Sequence, residues 1–333
     1  MPGKVLVGAR CYDPRKSGRP IAEIVGGADT DLLATDDVEQ ILNERPDVVL
    51  YAASEFGDVS TDEEIAGLLA RGVNVITPLP YHNVPISTPG SLAKLAAACD
   101  AGRSRLFATG IHPGLMFERL ALTASAASLG ISSFMIEEFF SAGTETQAAL
   151  NGFGFGLSPA EARERTSVRQ VIERYNSQYI HYGADLFGTP VRAIDYEADF
   201  RVAGQDLRLP HAAIDRGSVS FISHRFTATT QGGPRIIVSS NWYLDDEHKP
   251  AGIPCPDFYA ISIEGTPSLR MAIEMRASIA SGARLREGDL TTPAHYATAS
   301  MMLQAIDWAL AQPPGILSVQ PPANGFWRPP PQE

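Results

Sequence analysis

The first third of the chain alternates short apolar runs with capped helical segments, and that alternation limits the fold more than any other feature. Residues 4–12, 47–53, 73–77 and 105–109 are rich in Val, Ile, Leu, Phe and Tyr and mostly apolar on both faces. Strands of a parallel sheet covered on both sides have this composition. Between them, Asp36 with Glu39, Thr61 with Glu64, and Thr88-Pro89 mark helix starts, while Pro46, Gly72 and Gly102 mark ends. Strand, helix, strand in this rhythm predicts right-handed βαβ crossovers and a doubly wound sheet.

Beyond about residue 115 the texture changes. Helices are expected over 115–129, 145–156 and 158–182. Long strands are expected over 133–140, 191–202, 218–230, 235–244, 259–264 and 270–275, with Gly232-Gly233 as a hairpin signal. The fold class is therefore α/β: a Rossmann-type doubly wound parallel sheet plus a C-terminal α+β domain with a mixed or antiparallel sheet. Residues 1–116 form the nucleotide-type domain, joined by a last helix over 292–311. Residues 117–291 form the second domain, and the proline-rich 321–333 stretch reads as a disordered tail.

Composition excludes several classes. With 38 acidic against 27 basic residues and a net charge of −11, the chain lacks the basic face that nucleic acid demands. Cys11, Cys99 and Cys255 have neither disulfide nor zinc spacing, so no metal is expected. No signal peptide and no membrane span is visible, which makes the cytoplasm the expected location and a small molecule the expected partner.

Ligands of a doubly wound sheet bind at the carboxyl ends of its strands, so the residues just after each strand carry the functional information. Asp13 can accept from the adenosine ribose of NAD, while Arg15 and Lys16 suit the 2′-phosphate of NADP. Asp-Pro also simply opens turns. No G-x-G-x-x-G loop links the first strand to a helix, and the glycines at 152, 154 and 156 follow no strand. The strongest signal is Thr109-Gly110-Ile111-His112-Pro113-Gly114. A strand ends there in glycines and a proline before a helix, which aims backbone N–H groups at a crevice and places His112 for proton transfer. The same residues also read as a tight turn with a surface histidine. Pro78-Leu79-Pro80-Tyr81-His82 offers Tyr81 and His82 as further candidates, or a rigid loop without chemistry. Alternation along the 133–140 strand sends one of Glu137 and Glu138 inward. Tyr175, Tyr179 and Tyr182 share a helical face and read as packing; His211, His224, His248 and His295 read as structural or surface.

The 109–114 block, the strand Asn74-Val75-Ile76-Thr77 and the segment Tyr12-Asp13-Pro14-Arg15-Lys16-Ser17-Gly18-Arg19 occur in an order and spacing that resemble the dihydrodipicolinate reductase-like group. Within that group the resemblance is to 2,4-diaminopentanoate dehydrogenase and the native amine dehydrogenases. It implies an NAD or NADP cofactor, hydride transfer at a C=N or CH–NH2 carbon, and a homodimer or higher homo-oligomer through the C-terminal sheet. It also implies site roles: Asp13, Arg15, Lys16, Ser54, Thr77, Pro78 and Gly110 at the cofactor, Ile111, Pro113, Gly114 and Glu138 at the substrate, and His112, His82 or Tyr81 as proton donor. Two departures stand out. The group's opening strand and glycine loop, roughly 25–30 residues or one βα unit, have no counterpart here. Where amine-handling members carry an acidic pair soon after the Asn74–Thr77 strand, the corresponding stretch here is Pro78-Leu79-Pro80-Tyr81-His82. The alternative is a catalytically silent homologue acting as an oligomeric binding protein.

Overall fold

The computed structural model describes residues 3–26, 30–53, 60–280 and 291–329. Along the chain run β1 (Ala9–Arg10), α1 (Ile21–Val25), β2 (Ala34–Thr35), α2 (Val38–Asn43), β3 (Val48–Leu50), α3 (Thr61–Ala70), β4 (Asn74–Thr77), α4 (Val84–Ser87), α5 (Leu92–Gly102) and β5 (Arg105–Ala108). A π-helical segment, Met116–Ala121, leads through α6 (Leu122–Ser125) into β6 (Leu129–Ser141). Next come α7 (Gln147–Phe153), α8 (Pro159–Glu164), α9 (Thr166–Phe187), β7 (Val191–Val202) and the short pair β8 (Leu207–Arg208) and β9 (Ala213–Ile214). The last elements are β10 (Val219–Thr230), β11 (Arg235–Tyr243), β12 (Asp257–Thr266), β13 (Leu269–Met275), α10 (Pro293–Ala311) and β14 (Gly315–Leu317).

β14-β5-β4-β3 form a parallel sheet in that order. Ile65, Leu69 and Leu95 from α3 and α5 bury one of its faces with Val75 and Leu106. Met302 and Ala305 of α10 cover the other, against Ile76 and Phe107. Two-sided cover explains why β4 is buried at all four positions. β1 and β2 pair with each other in a separate two-stranded parallel sheet. The expected 4–12 strand shrinks to β1: Val5 and Leu6 are 85% and 59% exposed, and β1 has a ladder partner on one side, β2, among the described residues.

The second sheet has the order β13-β12-β6-β11-β10-β7, antiparallel except for β6 beside β11. α9 and the π-helical segment pack on one face of it. Phe117, Tyr179 and Ile180 meet Phe134, Ile136, Phe226, Val238 and Ile261 there. The helix expected over 158–182 is two helices meeting at Arg165. The helix expected from residue 115 is π-helical for its first part and shorter, because β6 begins at Leu129. The tail also differs from expectation. Trp327 is buried in the core against Phe187, and its N–H donates to Ser125 Oγ at 3.0 Å; aromatic burial outweighs the proline-rich composition.

Between the two sheets the chain turns sharply after β5. Gly114 has φ +125°, and a Cβ there would lie 2.4 Å from Gly110 O and 2.7 Å from Gly110 N. Only glycine fits such a close approach of backbone to backbone. Gly67, inside α3, meets nothing within 4 Å. Gly114→Ala is expected to destabilise the protein by roughly 2 kcal/mol or more. Gly67→Ala should stabilise it by roughly 0.5–1 kcal/mol through helix propensity. Urea unfolding of both variants beside the parent protein checks the pair.

Candidate active site

A cavity of about 290 Å³ lies at the carboxyl ends of β4 and β5, where the two sheets face each other. Pro78 follows β4, residues 110–113 follow β5, Glu138 and Phe140 come from β6, Trp242 from β11 and Tyr259 from β12. Phe153, Tyr175, His295 and Thr298 complete the wall. Its size is at the lower end of small-molecule sites, and its lining, mostly apolar with few polar groups, matches their usual character.

Glu138 is the carboxylate of this cavity. Alternation on β6 sends Phe134, Ile136, Glu138 and Phe140 to the same face, while Glu137 turns away. The indole Nε1–H of Trp242 donates to Glu138 Oε1 at 2.9 Å. Desolvation raises the Glu138 pKa to about 7; the indole bond opposes that rise and Asp257 adds to it. The group therefore exchanges its proton near neutrality.

His112 stands opposite in a different state. Its Nε2 shares a 2.6 Å hydrogen bond with the Tyr179 hydroxyl, which donates to Asn176 Oδ1 at 3.1 Å. With the one phenolic proton directed at Asn176, His112 Nε2–H is the donor to Tyr179 and Nδ1 is a bare acceptor. That Nδ1 is buried and has no partner among the described residues. Desolvation lowers the His112 pKa to about 3 and raises that of Tyr179. Burial thus favours the neutral imidazole, whose Nδ1 is free to accept a hydrogen bond from a ligand.

Beneath the 110–114 turn, Glu118 is 2% exposed. Its Oε2 accepts the Gly114 N–H at 2.9 Å. Burial lifts its pKa to about 7 against the pull of that bond. It lies on the π-helical segment, an irregularity that is frequent beside functional sites.

The other expected residues divide cleanly. Pro78, Gly110, Ile111, His112, Pro113 and Glu138 meet in the cavity, with Gly114 closing the turn behind them. Thr77 lies beneath, donating to Tyr51 O at 2.7 Å and accepting from Leu79 N. Tyr81 is fully buried away from the cavity, its hydroxyl bonded to Thr61 and Asp62. His82 is 8% exposed beside the Pro113 backbone, and burial lowers its pKa to about 3. Both side chains are buried, and neither is among the residues that line the cavity. Asp13 accepts Arg15 Nε and Nη2 at 3.0 and 2.8 Å and caps the turn it opens. The Arg15 bonds hold its pKa down to about 2. Arg15 and Lys16 belong to that turn, away from the cavity. Ser54 lies outside the described residues.

Sequence reasoning missed Trp242, Tyr259, Phe140 and Phe153, which are ordinary strand and helix hydrophobics until the sheets come together. It also read Tyr175, Tyr179 and His295 as packing or surface. The spacing of Tyr175 and Tyr179, four apart on one face of α9, was the available signal.

A nicotinamide dinucleotide places distinct demands on such a site. The cavity at the ends of β4 and β5 fits the ring end. A pyrophosphate needs a turn of free N–H groups opening a helix after a strand, and the described residues contain no glycine-rich turn of that kind. At the ends of β1 and β3, side chains converge instead on Glu64: Arg10 at 2.7 Å, Tyr12 and Tyr51 each at 2.6 Å. Among the described residues the cavity can take the ring end of such a cofactor, and no glycine-rich turn stands ready for its pyrophosphate.

An amine dehydrogenase of Streptomyces virginiae is 26% identical over 339 residues, covering 95% of this chain and 88% of its own. The structure of amine dehydrogenase from Mycobacterium smegmatis superimposes with a TM-score of 0.75 at 19% identity, over 94% of this chain and 87% of that one. The fold is shared. No family model matches the chain. Among the described residues no helix is long and apolar enough to cross a membrane.

Two buried carboxylates with raised pKa values give a signed pH prediction. A folded-state pKa of about 7 for Glu118, above an unfolded value near 4.3, stabilises the protein most below the unfolded value. That contribution is lost as pH rises through 7. Glu118→Gln keeps the acceptor for Gly114 N–H and removes the titration. Urea melts at pH 5 and pH 8 should therefore show the variant gaining roughly 3 kcal/mol on the parent at the higher pH.

Proposed function

We propose that the protein is a nicotinamide-dependent oxidoreductase of the amine dehydrogenase type, acting at the CH–NH2 or C=N carbon of a small, largely apolar amine. The observation that carries this reading is Glu138: a carboxylate in an aromatic cavity, tied by one indole N–H and tuned to exchange a proton near pH 7. The Streptomyces relative and the Mycobacterium fold support it.

In this reading charged Glu138 holds the substrate ammonium and takes its proton, freeing the nitrogen lone pair. Low local dielectric strengthens that pairing. Phe140, Phe153, Trp242 and Tyr259 bury the carbon skeleton, and His112 Nδ1 accepts the second N–H. Glu138 thereby stands in for the acidic pair absent after β4, and His112 orients rather than donates. A nicotinamide ring held against Pro78 and residues 110–113 would supply the hydride acceptor.

The pyrophosphate cradle is a further part of the proposal. β3 pairs on one side with β4 among the described residues. Leu50 on β3 is 38% exposed and Val5 before β1 is 85% exposed, which is foreign to the interior of a doubly wound sheet. A parallel strand between β1 and β3, supplied by a strand–glycine loop–helix unit upstream of residue 1, would cover both and bring its own turn of N–H groups for a pyrophosphate. A silent binding protein is the second reading, favoured by the lack of a glycine-rich turn after a strand among the described residues. In either case we propose a homodimer through the sheet face turned away from α9, where Ser223, Asn241 and Ser239 are hydrogen-bonded and Glu137 lies near Arg270 and Arg225.

Initial rates with NAD+ and NADP+ over a panel of small aliphatic and arylalkyl amines test the reading. Reduced nicotinamide should form with apolar amines, and Glu138→Gln should raise KM and lower kcat, each by about tenfold or more. Failure of every amine in protein that carries the upstream unit would leave the binding-protein reading.

A further inference from the structure

A second cavity, of about 190 Å³, lies where the α8–α9 corner meets β7 and β10. Arg163, Arg165 and Arg169 line it together with Tyr196, Ala198, Phe200 and His224. Three guanidinium groups around one small cavity are unexpected in a chain of net charge −11, and no part of the proposed chemistry uses them.

The surroundings fix these groups. The Arg169 guanidinium lies over the Tyr196 ring at 4.4 Å and that of Arg163 over Phe200 at 5.8 Å. Cation–π contacts of this kind orient a guanidinium without consuming its N–H donors. Arg165 is anchored through the carbonyl of Asn151, and Arg163 reaches Pro159 O at 3.4 Å. The acid paired with the cluster is Glu173, 3.9 Å from Arg169 Nε and 48% exposed, a distance at which a surface pair contributes little.

His224 provides the second, independent observation. It is 2% exposed, its ring lines the cavity, and its Nε2 is buried with no partner among the described residues. Its Nδ1 is occupied by the Tyr196 hydroxyl at 2.8 Å. In the tautomer whose Nδ1 accepts from the Tyr196 hydroxyl, the ring proton sits on Nε2, the nitrogen without a partner among the described residues, and a bound anion selects that tautomer. Leaving a buried donor unmet is costly. An acceptor carrying negative charge answers both the donor and the three cations at once.

We propose that this cavity is a binding site for a small oxyanion, a phosphoryl or carboxylate group, held by Arg163, Arg165 and Arg169 with His224 Nε2–H at its floor. The volume admits one such group with a short organic remainder, below the usual range for cofactors. The wall beyond His224 is Trp242, at 5.9 Å between ring centroids. The same indole donates to Glu138, so an anion here sits one aromatic ring away from the first cavity. The site does not depend on the oxidoreductase reading.

Titration calorimetry with inorganic phosphate and with benzoate, against a sodium chloride control, tests it on the full chain, with the His224 ¹⁵N resonances recorded in parallel. One anion per chain should bind saturably and shift His224 Nε2. The tighter of the two ligands identifies the phosphoryl or the carboxylate source. The partly exposed double variant Arg165→Gln, Arg169→Gln should weaken binding by about tenfold or more, with an unchanged circular dichroism spectrum. Non-saturable heats for both anions, an unmoved His224 signal, or equal affinity in the double variant would each overturn the site.

Discussion

Everything in the first cavity depends on how closely the backbone can approach itself between residues 110 and 114. Gly114 packs its Cα against the Gly110 peptide where no Cβ fits, and the Glu118 carboxylate accepts the Gly114 N–H from below. This knot ends a strand of one sheet and starts the helical segment that feeds the other. It therefore sets the distance between the sheets and delivers His112 to Tyr179 in one stroke. A looser turn would leave two sheets with no shared cavity.

Two opposed desolvation effects operate inside that cavity. Burial drives His112 toward the neutral form and Glu138 toward the protonated form, so neither carries charge cheaply. Trp242 makes the difference. One indole N–H on Oε1 holds the carboxyl within reach of neutral titration, while the imidazole has no charged partner to recover its proton. Of the two, the carboxyl is the one whose pKa lies near neutrality, and the proposed chemistry assigns it the acid–base role for that reason.

Much of the fold was legible in the chain. The strand at 191–202 was read with its observed ends, and the strands at 105–109, 218–230 and 235–244 within about a residue, because long apolar or alternating runs between turn residues leave few options. Asp37 and Ser60, not Asp36 and Thr61, cap α2 and α3, a one-residue error that local hydrogen-bond competition makes normal. Residues 4–12 misled because apolar content signals burial but not whether a neighbouring strand is there to pair with. β14 was missed because three residues gain their strand only from β5 beside them. Of the site, the 110–113 turn and Glu138 were readable from position along strands. Trp242, Tyr259 and Tyr179 were not, since their meeting is a product of tertiary packing, and the burial of Tyr81 and His82 outside the cavity lining was not either, because a polar tip in a proline-bounded loop carries no sign of which way it turns.

The most direct test is the titration of the Glu138 carboxyl by ¹³C NMR in protein labelled at glutamate, assigned with Glu138→Gln, with and without a small apolar amine. A pKa near 7 in the free protein, falling by a unit or more when the ammonium pairs with it, is the predicted result. A carboxyl that titrates in the ordinary range near 4.3 and ignores saturating amine would contradict the account.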